Sequence, residues 1–65
     1  MYFSEDDLRQ MREDGVTKSD VCSIINDYCD ELDIPRDFGY SLFNVLGYNE
    51  LYDGVRTGLE DMRYW

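Results

Sequence analysis

Two short stretches near the N-terminus spell helix starts in the same grammar, and they commit the first half of the chain to helices. In Phe3-Ser4-Glu5-Asp6-Asp7-Leu8, Ser4 is an N-cap, Asp7 stands three positions on, and Phe3 and Leu8 flank the cap as a hydrophobic staple. Val16-Thr17-Lys18-Ser19-Asp20-Val21 repeats the pattern, with Thr17 as cap, Asp20 three positions on, and Val16 and Val21 as the staple pair. Asp in place of Glu or Gln weakens the return bond of a capping box, yet it keeps a carboxylate where the helix dipole favours one. The first helix is predicted over Glu5–Asp14, with Leu8 and Met11 inward and Gly15 ending it. The second is predicted over residues 18–33. Val21, Ile24, Ile25, Tyr28 and Leu32 recur at helical spacing there, and Ile34-Pro35 stops it, because a residue before proline is pushed out of the helical region.

Residues 37–46 read as a third, shorter helix that offers Phe38, Leu42, Val45 and Leu46 to the core, with Gly39 as a cost and Gly47 as a stop. Beyond it two patterns compete. Leu51, Val55, Leu59 and Met62 follow a helical face with Asn49 as its cap, whereas Asp53-Gly54 between Leu51-Tyr52 and Val55-Arg56 is the dipeptide of a tight hairpin. The helix is preferred, since the apolar period continues to Met62 and the alternation is only two residues deep. The expected fold class is all-α: a small bundle of about four short helices in one acidic domain over residues 1–65. A hairpin around Gly54 is the alternative for the C-terminal segment.

Fifteen acidic residues against six basic ones, with no histidine, put a net charge of −9 on 65 residues. A chain so charged is repelled by nucleic-acid phosphates and by anionic membranes, so neither is expected as a direct partner. Without histidine there is no Ser-His-Asp or Cys-His pair and no imidazole metal ligand. Disorder also goes with acidity, but 43% hydrophobic and 15% aromatic residues argue for a packed domain. A compact chain of this length has a radius of gyration of about 11 Å, which offers surface but hardly a deep cleft. Apolar runs are short, such as Ile24-Ile25 and Leu42-Phe43, so no membrane span and no signal-peptide stretch is expected. With Met1 at its start, the chain is expected to be complete and cytoplasmic.

Cys22 and Cys29 lie seven apart in the second helix, which separates their Cα atoms by about 10 Å at ~1.5 Å per residue. A disulfide needs roughly 4.4–6.8 Å, so none joins them in a continuous helix, and two small thiols in a reducing compartment are expected. Other motif matches lack their context. Asp37-Phe38-Gly39 spells a kinase metal-binding tripeptide in a chain too short for a kinase. Gly54-x-x-x-Gly58 lies in a polar segment, and the acids between Asp27 and Asp37 lack the glycine of a calcium loop. Carboxylate pairs such as Asp30 and Asp33 have no pocket to perturb them. No catalytic, metal-binding or cofactor-binding residue is expected.

The charge is unevenly placed. Residues 1–33 hold ten acids and three bases, net −7, while residues 34–65 hold five acids and three bases, net −2. On the second helix Asp20, Asp27 and Glu31 fall within about 40° of one another at ~100° per residue, with Asp30 beside them. The first helix adds Glu5, Asp6, Asp7, Glu13 and Asp14. Such rows of carboxylates can stand where nucleic-acid phosphates would, one per ~3.4 Å per strand, in a groove lined by Lys and Arg. Charged stripes are also the ordinary solvated faces of amphipathic helices. Six tyrosines and Trp65 exceed what so small a core hides, and Tyr40, Tyr48, Tyr52, Tyr64 and Trp65 are candidate anchors beside the acidic face. Tyr28 is expected in the core.

The combination of small size, strong acidity, helical caps, many tyrosines and free thiols resembles the small acidic phage-encoded anti-CRISPR proteins. The likeness is to the DNA-mimic type that acts on type I effector complexes. It covers the whole chain but is one of character, since these inhibitors share no motif, and it assigns no residue a role. It implies a non-enzymatic, stoichiometric inhibitor that occupies the target-DNA or PAM-recognition surface of a basic complex in a bacterial host cell. The electrostatic reading supplies the residues: Asp6, Asp7, Glu13, Asp14, Asp20, Asp27, Asp30 and Glu31, with Tyr48, Tyr52 and Trp65 as aromatic contacts. The partner is expected to be a basic nucleic-acid-binding protein and the chain a monomer, with a dimer as the other option. The alternative function is a small helical adaptor or antitoxin-like regulator that binds through an aromatic and apolar face.

Overall fold

In the computed structural model, which describes residues 2–63, both predicted capping boxes close. Ser4 Oγ accepts the Asp7 N–H at 3.1 Å while an Asp7 carboxylate oxygen accepts the Ser4 N–H at 3.4 Å. Thr17 and Asp20 exchange the same two bonds at 3.1 and 3.0 Å. Aspartate is thus long enough for the return bond. The helices they open are α1, Glu5–Asp14, and α2, Lys18–Leu32. Each ends in a pair of reversed bonds: Gly15 and Val16 donate to the Arg12 and Met11 carbonyls, and Asp33 and Ile34 donate to those of Asp30 and Cys29. This closure needs a left-handed residue, which Gly15 supplies without strain at φ 71°. At the end of α2 the same place falls to Asp33, at φ 57°. Asp33 is therefore the terminator of α2 and not its last helical residue.

Helix α3 covers Arg36–Leu46, a 3-10 turn covers Tyr48–Glu50, and α4 covers Gly54–Arg63. No strand occurs among the described residues, so the Asp53-Gly54 hairpin does not form. Nor does α4 start from Asn49, which lies inside the 3-10 turn. Instead the Asp53 carbonyl accepts the Thr57 N–H at 2.8 Å, and the Glu50 carboxylate accepts the Gly54 N–H at 3.1 Å. The fold is an all-α bundle of four short helices. No helix among the described residues is long and apolar enough to cross a membrane.

Helices α2, α3 and α4 pack against one another, and α1 packs on the 3-10 turn. Val21, Ile25, Cys29, Phe43, Leu51, Val55 and Leu59 are fully buried, and Met11, Tyr28 and Tyr48 complete the core. Burial pushes the Cys29 thiol up from its ordinary pKa, which makes it an inert packing group. Phe3 packs against Phe43 with ring centroids 5.4 Å apart and planes tilted by 59°, which ties the chain start to α3. The result is an elongated body, 35 × 18 × 17 Å, with a radius of gyration of 11.3 Å.

Two features of α3 differ from expectation. Gly39, read as a cost to the helix, is buried, and a Cβ there would stand 2.5 Å from Ile25 Cγ2 and 2.7 Å from Cys29 Sγ. The α3 backbone there lies directly against α2 side chains. Phe38, Val45 and Leu46, expected in the core, are exposed. At ~100° per residue Phe38 and Val45 lie on the far side of α3 from buried Phe43, turned away from the core.

Gly39→Ala is expected to destabilise the fold by about 1–3 kcal/mol, because Ile25 is β-branched and fully buried and cannot move aside. Gly58→Ala meets only the flexible end of half-buried Leu42, at 2.6 Å, and its gain in helix propensity should hold the change within about 1 kcal/mol. Asp33→Gly is expected to stabilise by about 1 kcal/mol, by removing left-handed strain and a negative charge from the C-terminus of α2. Urea denaturation of the three variants measures all three changes.

Candidate functional site

The outer surface of α2 is acidic along its length. Relative to buried Ile25, Asp20, Asp27, Asp30 and Glu31 all point to the opposite side of the helix, and all four are exposed. The caps and the apolar spacing dictate this: with Val21, Ile25, Tyr28 and Cys29 inward, the remaining arc holds the acids. At ~1.5 Å per residue, the steps from Asp20 to Asp27 and on to Glu31 are about 10 and 6 Å.

These carboxylates are not equivalent. Asp20 carries its charge into the Thr17 cap. Asp30 is held by Arg36 in a two-pronged pair, at 3.2 Å to Nε and 2.8 Å to a terminal nitrogen, and this bonding draws its carboxyl below the ordinary range. Its charge is largely compensated. Asp27 makes no hydrogen bond or ion pair among the described residues. Glu31 acts on Arg56 only through its field, for Arg56 is bonded to Glu60 at 3.0 Å and lies 5.4 Å over the Tyr28 ring. Asp27 and Glu31 are therefore the members of the row that no hydrogen bond or ion pair ties up among the described residues.

On α1 the acids are spent differently. Asp7 is half-buried in the Ser4 cap, and Asp6 pairs with Arg9. Asp14 accepts a 2.7 Å bond from the Tyr48 hydroxyl, while Glu13 is exposed and makes no ion pair among the described residues. Moreover, all three bases of residues 1–33, Arg9, Arg12 and Lys18, line an open groove of about 670 Å³ between α1 and the start of α2, over Leu8, Met11 and Val16. The charge count by sequence half could not show this. The two helices do not make one unbroken acidic face: cations interrupt it along α1, Arg36 sits on Asp30 at the end of α2, and the most acidic stretch is the row of Asp20, Asp27 and Glu31.

The aromatic candidates divide as well. Tyr48 is only 6% exposed and belongs to the core, so it presents no surface for an anchor. Tyr40 is half-buried and its hydroxyl bonds to Asn26. Tyr52 is 60% exposed and keeps its candidacy. Tyr64 and Trp65 lie outside the described residues. No side chain of a charged residue is buried, and no cluster of three or more His, Cys, Asp or Glu residues suited to a metal ion occurs, among the described residues.

The Tyr48–Asp14 bond fastens α1 to the 3-10 turn, and the carboxylate, together with burial, pushes the Tyr48 hydroxyl up to about 12. A raised folded-state value means the bond contributes fully below the unfolded tyrosine pKa near 10 and is lost as pH rises through about 12. Tyr48→Phe is expected to cost roughly 1 kcal/mol at pH 7. The difference from wild type should shrink between about pH 10 and 12 in denaturation followed by circular dichroism. Compared with known proteins, this chain matches no family model, no curated protein and no solved structure, so its surface chemistry carries the functional argument.

Proposed function

We propose that this protein is a non-enzymatic inhibitor that binds the basic nucleic-acid-binding surface of a partner protein by imitating a phosphate backbone. The observation that carries the reading is the outer side of α2, where Asp27 and Glu31 are exposed and bonded to no cation beside Asp20, on a chain of net −9. The row from Asp20 to Glu31 spans about 16 Å at ~1.5 Å per residue, which matches about five nucleotide steps at ~3.4 Å each. An Arg/Lys groove built for phosphates accepts carboxylates at such spacing and holds them by the same charge-assisted bonds. The proposed partner is a nucleic-acid-binding effector, of which the target-DNA or PAM site of a CRISPR complex in a bacterial cell is the specific case. Glu13, Asp14 and Asp30 lie at the edges of the contact, and Tyr52 adds an exposed ring.

The alternative, a helical adaptor working through an apolar face, draws support from exposed Phe38, Val45 and Tyr52. The two readings separate in one experiment. The immobilised protein is used to capture partners from bacterial lysate at about 50 and 500 mM salt, between which the screening length shrinks several-fold. Mimicry predicts capture that is lost at high salt, competed by double-stranded DNA, and weakened at least tenfold, about 1.4 kcal/mol, by D27K/E31K. An adaptor predicts capture that survives salt and the charge reversal and fails with Tyr52→Ala.

A further inference from the structure

The sequence holds two Asp-Gly links, Asp14-Gly15 and Asp53-Gly54. In such a link the glycine amide nitrogen can attack the aspartyl Cγ, because no β-carbon on the glycine hinders it. A bond from nitrogen to Cγ closes a succinimide ring. The carboxyl hydroxyl and the amide proton leave together as water. Water then reopens the ring, and breaking the original bond from nitrogen to the main-chain carbonyl leaves isoaspartate. The composition of the chain is unchanged, but its backbone now runs through the side-chain methylene.

The fold restrains the two links differently. At Asp14 the group under attack is tied, since its carboxylate accepts the Tyr48 hydroxyl at 2.7 Å. The Gly15 N–H there donates to the Arg12 carbonyl at 3.2 Å. Asp53 is exposed, and its side chain makes no hydrogen bond or ion pair among the described residues. Only the peptide group between Asp53 and Gly54 is held. Its carbonyl accepts the Thr57 N–H at 2.8 Å, and its N–H donates to the Glu50 carboxylate at 3.1 Å. Ring closure removes the proton that Glu50 accepts and draws the nitrogen toward Cγ, so the Glu50 bond must break first. Glu50 is itself exposed at the end of the 3-10 turn, and bonds of that kind open locally at small cost.

We propose that Asp53-Gly54 is a site of spontaneous backbone isomerisation in the folded protein, and that the hold of Glu50 on Gly54 sets its rate. Asp14-Gly15 carries the same chemistry but stays closed while Tyr48 holds Asp14. The product does not rebuild the start of α4. An added methylene displaces the carbonyl that Thr57 uses, two residues before Val55, which is fully buried together with Leu59. Isomerisation therefore loosens α4 from the core. The proposal stands apart from any binding role, since it concerns the covalent lifetime of the chain.

Ageing the full chain for several weeks at neutral pH and physiological temperature tests this. Tryptic cuts after Lys18 and Arg36 put Asp14 and Asp53 in different peptides, in which isoaspartate is separated by chromatography and located by electron-transfer fragmentation. In the folded chain isoaspartate is expected at 53 at least about fivefold faster than at 14. In guanidinium chloride the two sites should react at similar rates. Glu50→Ala should raise the rate at 53 at least about threefold, the size of one hydrogen bond, and leave the rate at 14 unchanged. Glu50→Gln keeps an acceptor oxygen and should stay near wild type, while Tyr48→Phe should raise the rate at 14 instead. The purified isoaspartate form should unfold at lower urea than its parent. Equal rates at 14 and 53 in the folded wild type, or a rate at 53 indifferent to Glu50→Ala, overturns the proposal. So does a rise at both sites with Glu50→Ala, which would mean that global unfolding and not the turn controls the reaction.

Discussion

Everything in this fold turns on how closely α3 can approach α2. Gly39 brings a bare backbone to within contact of Ile25 and Cys29, and that contact sets the axis about which α4 closes the core with Val55 and Leu59. The helix-forming cost of a mid-helix glycine, about 1 kcal/mol, is set against full burial of the side chains around it. With a chain this short the core amounts to little more than the three-helix contact, and α1 is added to it through Met11, the tilted Phe3–Phe43 ring contact and the Tyr48–Asp14 bond. The elongated outline follows from this two-part build.

The surplus of acid is managed locally before it becomes a surface property. Four aspartates serve structure: Asp7 and Asp20 close caps, Asp14 holds Tyr48, and Asp33 takes a left-handed turn. Asp6 and Asp30 are matched to Arg9 and Arg36. What is left over on the outer side of α2, Asp27 and Glu31 above all, is a smaller and better-defined feature than a net charge of −9 suggests. These carboxylates are what the basic groove of the proposed partner would meet. Residues 38–49 of α3 and the 3-10 turn carry no charged side chain before Glu50, so the charge of this small body is concentrated on other elements.

Much of the helix layout was legible in the sequence. The two capping boxes, the Gly15 stop, the Pro35 break and the inward positions of Val21, Ile25 and Tyr28 are local or periodic features, and each follows from chemistry within a few residues. The start of α4 was not legible, because the competing signals at Asn49 and Asp53-Gly54 are resolved by burial of Leu51 and Val55 and by the Glu50 carboxylate on the Gly54 N–H. The acidic row on α2 could be read from helical spacing alone. Which of its members retain free charge could not, since Arg36 reaches Asp30 only after the chain turns at Pro35.

The sequence by itself determined the class of fold, the number of helices and the acidic face of α2, because these depend on neighbours along one helix. Only the tertiary structure decided which apolar side of α3 is covered, that Tyr48 is core and Tyr52 is surface, and that Arg9, Arg12 and Lys18 gather at one groove. The physical reason is that an apolar residue's position on a helix says which way it points but not whether another element crosses there. Phe38 and Val45 stay 51% and 78% exposed for that reason.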